Sequence, residues 1–192
     1  MEKLELGKYK YIIIGGSAGS FQVVTKILSA LPKNFDKPVF LCLHRLKHIR
    51  SGFVEALSIK STLPVVEPCD KEHIRPGKVY LAPANYHMYI ELGNYFSLST
   101  EEPVNHSRPA IDLSFFSAAY AYKSKLVGII LSGANRDGAL GLKSVKDAGG
   151  YSIVQDPDEC QVKTMTTASM QVTQVDEVLK TDQIIDFLLK LD

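Results

Sequence analysis

Several things are scarce in this chain, and each scarcity removes a class of function. Charge of one sign is lacking: 22 Lys and Arg stand against 21 Asp and Glu, for a formal net charge of +1. A nucleic-acid-binding domain normally carries a clustered basic excess, so no nucleic-acid partner is expected. Long apolar runs are lacking too. The longest, such as "VGIIL", fall far short of the roughly 20 residues a spanning helix needs, so no membrane insertion is expected. The opening "MEKLELGKYK" has neither the apolar stretch nor the cleavage site of a secretory signal. Cysteine is sparse: Cys42, Cys69 and Cys160 are odd in number, widely spaced and without a CxxC pair. Neither a zinc knuckle nor a disulfide framework fits that pattern. Repeats, low-complexity tracts and linkers are missing as well. With 192 residues, 45% of them hydrophobic, the expectation is a single cytoplasmic domain over 1–192 with a real core.

What is present is an alternation of strand-like and helix-like segments. "KYIIIG" (10–15) is a short β-branched run closed by glycine, as in a buried strand. Val23, Val24, Ile27, Leu28 and Leu31 then recur at helical spacing until Pro32. "PVFLCLH" (38–44) and "LPVVE" (63–67) predict two more strands, with a moderately amphipathic segment near 50–61 between them. Turns at Pro76-Gly77 and Gly93-Asn94, flanked by alternating runs, predict hairpins. After Pro109, the positions of Ile111, Phe115, Ala118, Ala119 and Tyr122 mark a helix. "LVGIILSG" (126–133) is the most apolar strand, and Ala139, Leu142, Val145 and Ala148 follow on one helical face closed by Gly149-Gly150. "YSIVQD" is a further strand, and a capped amphipathic helix from Thr181 ends the chain. The sum is an α/β fold: a doubly wound, mostly parallel sheet flanked by helices, with a small antiparallel hairpin insertion at about 78–100.

In such a fold, ligands bind in the crevice at the carboxyl ends of the strands. The loop after the first strand, Gly15-Gly16-Ser17-Ala18-Gly19-Ser20, lies there. It does not fit the dinucleotide spacing G-x-G-x-x-G, and the second strand ends in His44 where a ribose-binding acid belongs. No Gly-Lys-Ser/Thr follows, which excludes a Walker loop. Gly15 to Gly19 do fit G-x-S-x-G at a strand-to-helix turn, which exposes a serine hydroxyl at a helix N-terminus. The bland alternative is a structural tight turn.

A nucleophilic serine needs a base, and the base an orienting acid. Of five histidines, His44 ends a buried strand, and neighbouring strand tips lie about 4.8 Å apart. His48, His73, His87 and His106 fall in loops or on the insertion and read as solvated or structural. Asp137 follows the most apolar strand and precedes a helix, so it is either the acid or a helix N-cap. Asp112 is the rival acid, but it lies in the first turns of a helix. Placement at a strand end favours Asp137.

The blocks "IIIGGSAGSFQVVTKILSALP", "VFLCLHR", "IRPGKVYLAPANYHMYI", "HSRPAIDLSFFSAAYAY", "VGIILSGANRDGALGLKSVKDAGGYSIVQDP" and "MTTASM" occur in the order found in the C-terminal catalytic domain of chemotaxis protein-glutamate methylesterases. The chain resembles that family (the CheB type) over roughly 9–190. The resemblance implies a triad in the order Ser17, His44, Asp137, the set reached from placement alone. It implies no metal or organic cofactor. Ala18 and Ala134 stand at the positions whose backbone amides would hold the oxyanion; Ala134 replaces the family's usual methionine. Ala18 and Ser20 replace a threonine and a glycine of the usual loop, and Arg45-Leu46 replace Met-Pro after the base.

The implied reaction is hydrolysis of glutamyl γ-methyl esters on the cytoplasmic helices of methylated chemoreceptors, releasing methanol, with glutamine deamidation open to the same chemistry. Arg45, with Lys47, His48 and Arg50, forms a basic cluster that could meet an acidic receptor face, and a solvated loop is the plainer account. Arg108 is the second candidate for substrate docking. Full-length enzymes of the family usually carry an N-terminal receiver domain. This chain begins about ten residues before its first strand, which leaves the expectation of a free-standing esterase or a fragment. A non-catalytic regulatory module on the same fold and a serine esterase for small esters are the competing readings.

Overall fold

The computed structural model describes residues 6–44 and 52–191. Strands β1 (Tyr11–Gly16), β2 (Val39–Leu43), β3 (Val65–Val66), β4 (Val79–Leu81), β7 (Leu126–Ile130), β8 (Tyr151–Gln155) and β9 (Glu177–Leu179) form one sheet in the order β3-β4-β2-β1-β7-β8-β9. Every pairing in it is parallel. Strands β5 (His87–Glu91) and β6 (Tyr95–Ser99) form a separate antiparallel hairpin. The helices are α1 (Ser20–Ala30), α2 (Phe53–Lys60), α3 (Ile111–Tyr122), α4 (Ala139–Asp147), α5 (Thr164–Val172) and α6 (Thr181–Leu189). None is long and apolar enough to cross a membrane, among the described residues.

The period-2 geometry of the strands sorts their side chains into two layers. Ile12 and Ile14 of β1, Val39, Leu41 and Leu43 of β2, and Val127 and Ile129 of β7 face α1, α2 and α6. Ile13, Phe40, Cys42 and Ile130 face the other way, onto α3, α4 and the hairpin. Both faces are therefore covered. That is why these strands read as continuous apolar runs without alternation.

The antiparallel insertion is narrower than the sequence suggests. Its predicted first strand, β4, joins the parallel sheet beside β2, in register Val39 with Val79. Val79, Tyr80 and Leu81 are all fully buried. The unbroken apolar run was the signal for a two-faced strand, and the Pro76-Gly77 turn only leads into it. Two elements have no counterpart in the sequence reading. β9 is an edge strand of three partly exposed residues. α5 is rich in threonine, a poor helix former, and is anchored by a bond from the Met165 amide to the Gly133 carbonyl at 3.0 Å.

The chain's path places a crevice. From β1 it runs outward to β2 and beyond, then returns to place β7 on the other side of β1. This reversal opens the sheet at the carboxyl end of β1. Helix α3 seals the layer beneath, lying so close that a Cβ on Gly15 would stand 2.6 Å from Ile111 Cγ2, with Ile130 Cδ1 of β7 at 2.9 Å. Gly15→Ala should accordingly cost about 1–3 kcal/mol by overpacking. Gly7, with nothing within 4 Å of its would-be Cβ, should tolerate the same change. Denaturant midpoints for the two variants check this; an unshifted Gly15→Ala midpoint would contradict the packing described.

Candidate active site

The loop after β1 is a rigid elbow. The Ser17 amide donates to the Ser132 carbonyl at 2.9 Å, tying the loop to the end of β7. The Ser17 carbonyl accepts from both the amide (3.0 Å) and the hydroxyl (2.7 Å) of Ser20. Gly19 has φ +82°, and a Cβ there would meet Gln161 and Ser132. A Cβ on Gly16 would collide with Ser20 at 2.7 Å. Small residues are thus required on both sides of Ser17, as a sharp strand-to-helix turn demands. Ser17 is partly exposed at the N-terminus of α1, and its hydroxyl has no hydrogen bond among the described residues.

The end of β2 lies against this elbow, with the His44 amide donating to the Gly16 carbonyl at 3.1 Å. His44 Nε2 donates to Asp137 Oδ2 at 2.7 Å, which leaves Nδ1 as the ring nitrogen open to another partner. Asp137 itself is completely buried. Its Oδ2 also accepts from the Ile111 amide at 2.7 Å. Its Oδ1 accepts from the Asp112 amide at 3.0 Å and from Asn105 Nδ2 at 2.9 Å. Burial by itself would raise this carboxyl's pKa. The bonds from His44, the two amides and Asn105 outweigh it and hold the pKa below the usual value.

Two of those donors are the first amides of α3, so Asp137, which precedes α4, caps α3. Asp112 does the converse. Its Oδ1 accepts from the Gly138 amide at 2.9 Å and the Gly141 amide at 2.7 Å, capping α4 from within α3. The two helix N-termini exchange carboxylates, each placed where dipole and free amides favour a negative charge. Burial, with the neighbouring Asp137 charge adding to it, pushes the Asp112 carboxyl up against the opposing pull of its hydrogen bonds.

The structure brings together His44 and Asp137 through a direct bond, and Ser17 through the backbone of β1 and β2. The Ala18 and Ala134 amides have no acceptor among the described residues, and both residues are exposed. Arg108 points elsewhere with part of its guanidinium: Nη1 donates to the Thr100 carbonyl at 2.6 Å and the Glu101 carbonyl at 2.9 Å. It borders a groove of about 430 Å3 with Pro83, Asn85, Tyr86 and Thr100. Arg45, Lys47, His48 and Arg50 lie outside the described residues. His87 is a buried structural histidine, accepting from the Ala110 amide on Nδ1 and contacting the Glu102 carbonyl through Nε2. No cluster of three or more potential metal ligands occurs among the described residues.

Sequence reading missed Asn105, the capping of α4 by Asp112 (which it places only near the start of its own helix), and Ser132. The Ser132 hydroxyl lies 2.8 Å from the Ala18 carbonyl and accepts from the Val162 amide at 3.0 Å, fastening the elbow to the loop before α5. A serine after an apolar strand gives no hint of this, because its partners lie 114 and 30 residues away.

The sequence matches a family model described as CheB methylesterase over residues 12–188. A Leptospira interrogans (serovar copenhageni) protein, provisionally named protein-glutamate methylesterase/protein-glutamine glutaminase, is 40% identical over 184 residues, covering 96% of this chain and 95% of that protein. The Clostridium acetobutylicum protein-glutamate methylesterase/protein-glutamine glutaminase is 33% identical over 94% of this chain, which spans 52% of that longer protein. The crystal structure of the Thermotoga maritima CheB methylesterase catalytic domain aligns with a TM-score of 0.90 at 33% identity. That alignment covers 96% of this chain and 99% of the other.

The saturated carboxylate has a consequence for stability. A folded pKa below the unfolded value near 3.9 gives stability that is complete above about pH 5 and is lost as pH falls through the folded value. Asp137→Asn should therefore cost about 2 kcal/mol or more at pH 7, with the gap to the parent closing on acidification. Unfolding curves between pH 7 and pH 3 measure it. A gap that stays constant with pH would show that Asp137 does not carry its charge in the fold.

Proposed function

We propose that this chain, which belongs to the CheB methylesterase family, is a carboxylic ester hydrolase of the protein-glutamate methylesterase type with Ser17, His44 and Asp137 as its catalytic triad. The observation that carries the reading is the part-buried 2.7 Å bond between His44 and Asp137, formed at strand ends beside the serine elbow. Asp137 holds the imidazole through Nε2, so Nδ1 is the nitrogen that takes the Ser17 proton as the hydroxyl attacks the ester carbonyl. The Ala18 and Ala134 amides, unbonded among the described residues, receive the oxyanion. Collapse of the tetrahedral intermediate expels methanol, which takes its proton from His44 and leaves Ser17 acylated. Water, deprotonated by His44, then frees the glutamate. Glutamine follows the same course with ammonia as the leaving group, in keeping with the double name of the relatives.

The substrate in this reading is a methylated helix of a chemoreceptor's cytoplasmic part, which places the enzyme in the cytoplasm. Arg45 and Arg108 serve docking, the latter from the groove beside Asn85 and Tyr86. An acidic, glutamate-rich helix complements their charge. No metal or organic cofactor enters any step.

Incubation with methylated receptor membranes should release methanol. Ser17→Ala should abolish the release, and Asp137→Asn should lower it by about 10^4-fold by disturbing the imidazole's tautomer. Both comparisons use variants whose folding is verified by circular dichroism. Hydrolysis of simple acyl esters without methanol release would point to a small-ester hydrolase. No hydrolysis of either by the folded parent would favour a binding module.

A further inference from the structure

Asp112 and Asp137 are two buried carboxylates that share one donor. Asn105 Nδ2 lies 3.0 Å from Asp112 Oδ2 and 2.9 Å from Asp137 Oδ1. The two oxygens are therefore no more than about 6 Å apart. An amide NH2 has two hydrogens, and here each goes to a different carboxylate. Among the described residues, Asn105 is the only donor to Asp112 Oδ2, since the Gly138 and Gly141 amides both bind Oδ1. Its backbone is fixed in the left-handed region at φ +52°, a conformation that asparagine tolerates better than most residues. That geometry brings a loop side chain between two helix N-termini.

Without this bridge, two like charges would face each other in a buried site with one acceptor unsatisfied. The known outcome of such an arrangement is that the pair retains one proton. We propose that Asn105 is a positioning residue for the triad: by donating one hydrogen to each carboxylate, it keeps both ionised and leaves Asp137 wholly available to His44. The role rests on the methylesterase reading above. Among the described residues, the groups in hydrogen-bond contact with the two carboxylates are His44 from the end of β2, the first amides of α3 and α4, and Asn105. The titratable members of that set are His44 and the carboxylates themselves.

The test is Asn105→Gly, which keeps the left-handed backbone and removes the amide. Asn94→Gly is its matched control. Asn94 sits at φ +67° in the hairpin turn and also loses two side-chain bonds, to the Ile74 carbonyl and the Tyr122 hydroxyl. Two readouts are taken: side-chain carboxyl NMR of aspartate-labelled protein against pH, and the pH profile of kcat/KM for methanol release. Asn105→Gly should show a buried carboxyl that still holds a proton at a pH where the parent holds none. The acid limb of its profile should shift by about one pH unit or more from the parent's. Asn94→Gly should lose stability with neither change.

Adding Asp112→Asn to Asn105→Gly removes the facing charge, so the limb should return to the parent's position. Loss of stability in Asn105→Gly with an unmoved limb and no retained proton would overturn the proposal and leave Asn105 as a loop anchor. If Asn105→Gly fails to fold but the double variant folds, the facing charges are confirmed as what Asn105 offsets. Failure of both to fold counts against it. If the parent releases no methanol at any pH, the methylesterase reading fails, while the carboxyl NMR still decides whether Asn105 keeps the pair ionised.

Discussion

A buried carboxylate is the constraint on which the strand-tip end of this protein depends. Asp137 accepts four hydrogen bonds, from the imidazole at the end of β2, two amides opening α3, and Asn105. An isolated charge at a fully buried position would be expelled or neutralised. With four donors it is instead fixed in one orientation, because every strong acceptor direction is occupied. The same bonds that keep it charged dock α3 against the start of α4 and aim His44. Fold stability and site geometry are therefore one set of contacts.

The sheet supplies the rest by topology. Reversal of the chain about β1 brings the ends of β2 and β7 to either side of Ser17. Each arrives with a backbone bond to the elbow, His44 to Gly16 and Ser17 to Ser132. Glycine is required where α3 and α4 press closest. A Cβ on Gly141 would stand 2.5 Å from the Cβ of Phe115, and one on Gly138, at φ +96°, would meet Ile111 at 2.7 Å. The glycines flanking Asp137 and those flanking Ser17 thus do different work, allowing close helix contact in one case and a tight turn in the other.

Much of this was legible in the sequence, for identifiable reasons. Runs such as "YIIIGG" and "VFLCL" have no polar face, which declares a sheet covered on both sides. His44 and Asp137 could be chosen because strand ends converge in such a sheet, and the structure joins them at 2.7 Å. Triad acid and helix cap are not exclusive readings of Asp137. It does cap a helix, though α3 and not the α4 that follows it, and the same carboxylate holds His44. What could not be read was contact at long sequence separation. Asn105 meets Asp137 across 32 residues and the Ser132 hydroxyl reaches the Ala18 carbonyl across 114, with no periodicity to announce either. The strand at 79–81 belongs to the parallel sheet and not to the hairpin, because its apolar run needs cover on both faces and the Pro76-Gly77 turn only leads into it.

The most direct test of the central claim is proton NMR of protein labelled with 15N-histidine. A His44 Nε2–H held by a buried carboxylate should give a strongly downfield, exchange-protected resonance. It should be present in the parent and in Ser17→Ala, and absent from Asp137→Asn. A His44 ring proton that exchanges freely with water in the folded parent, or a downfield signal that survives Asp137→Asn, would contradict the account.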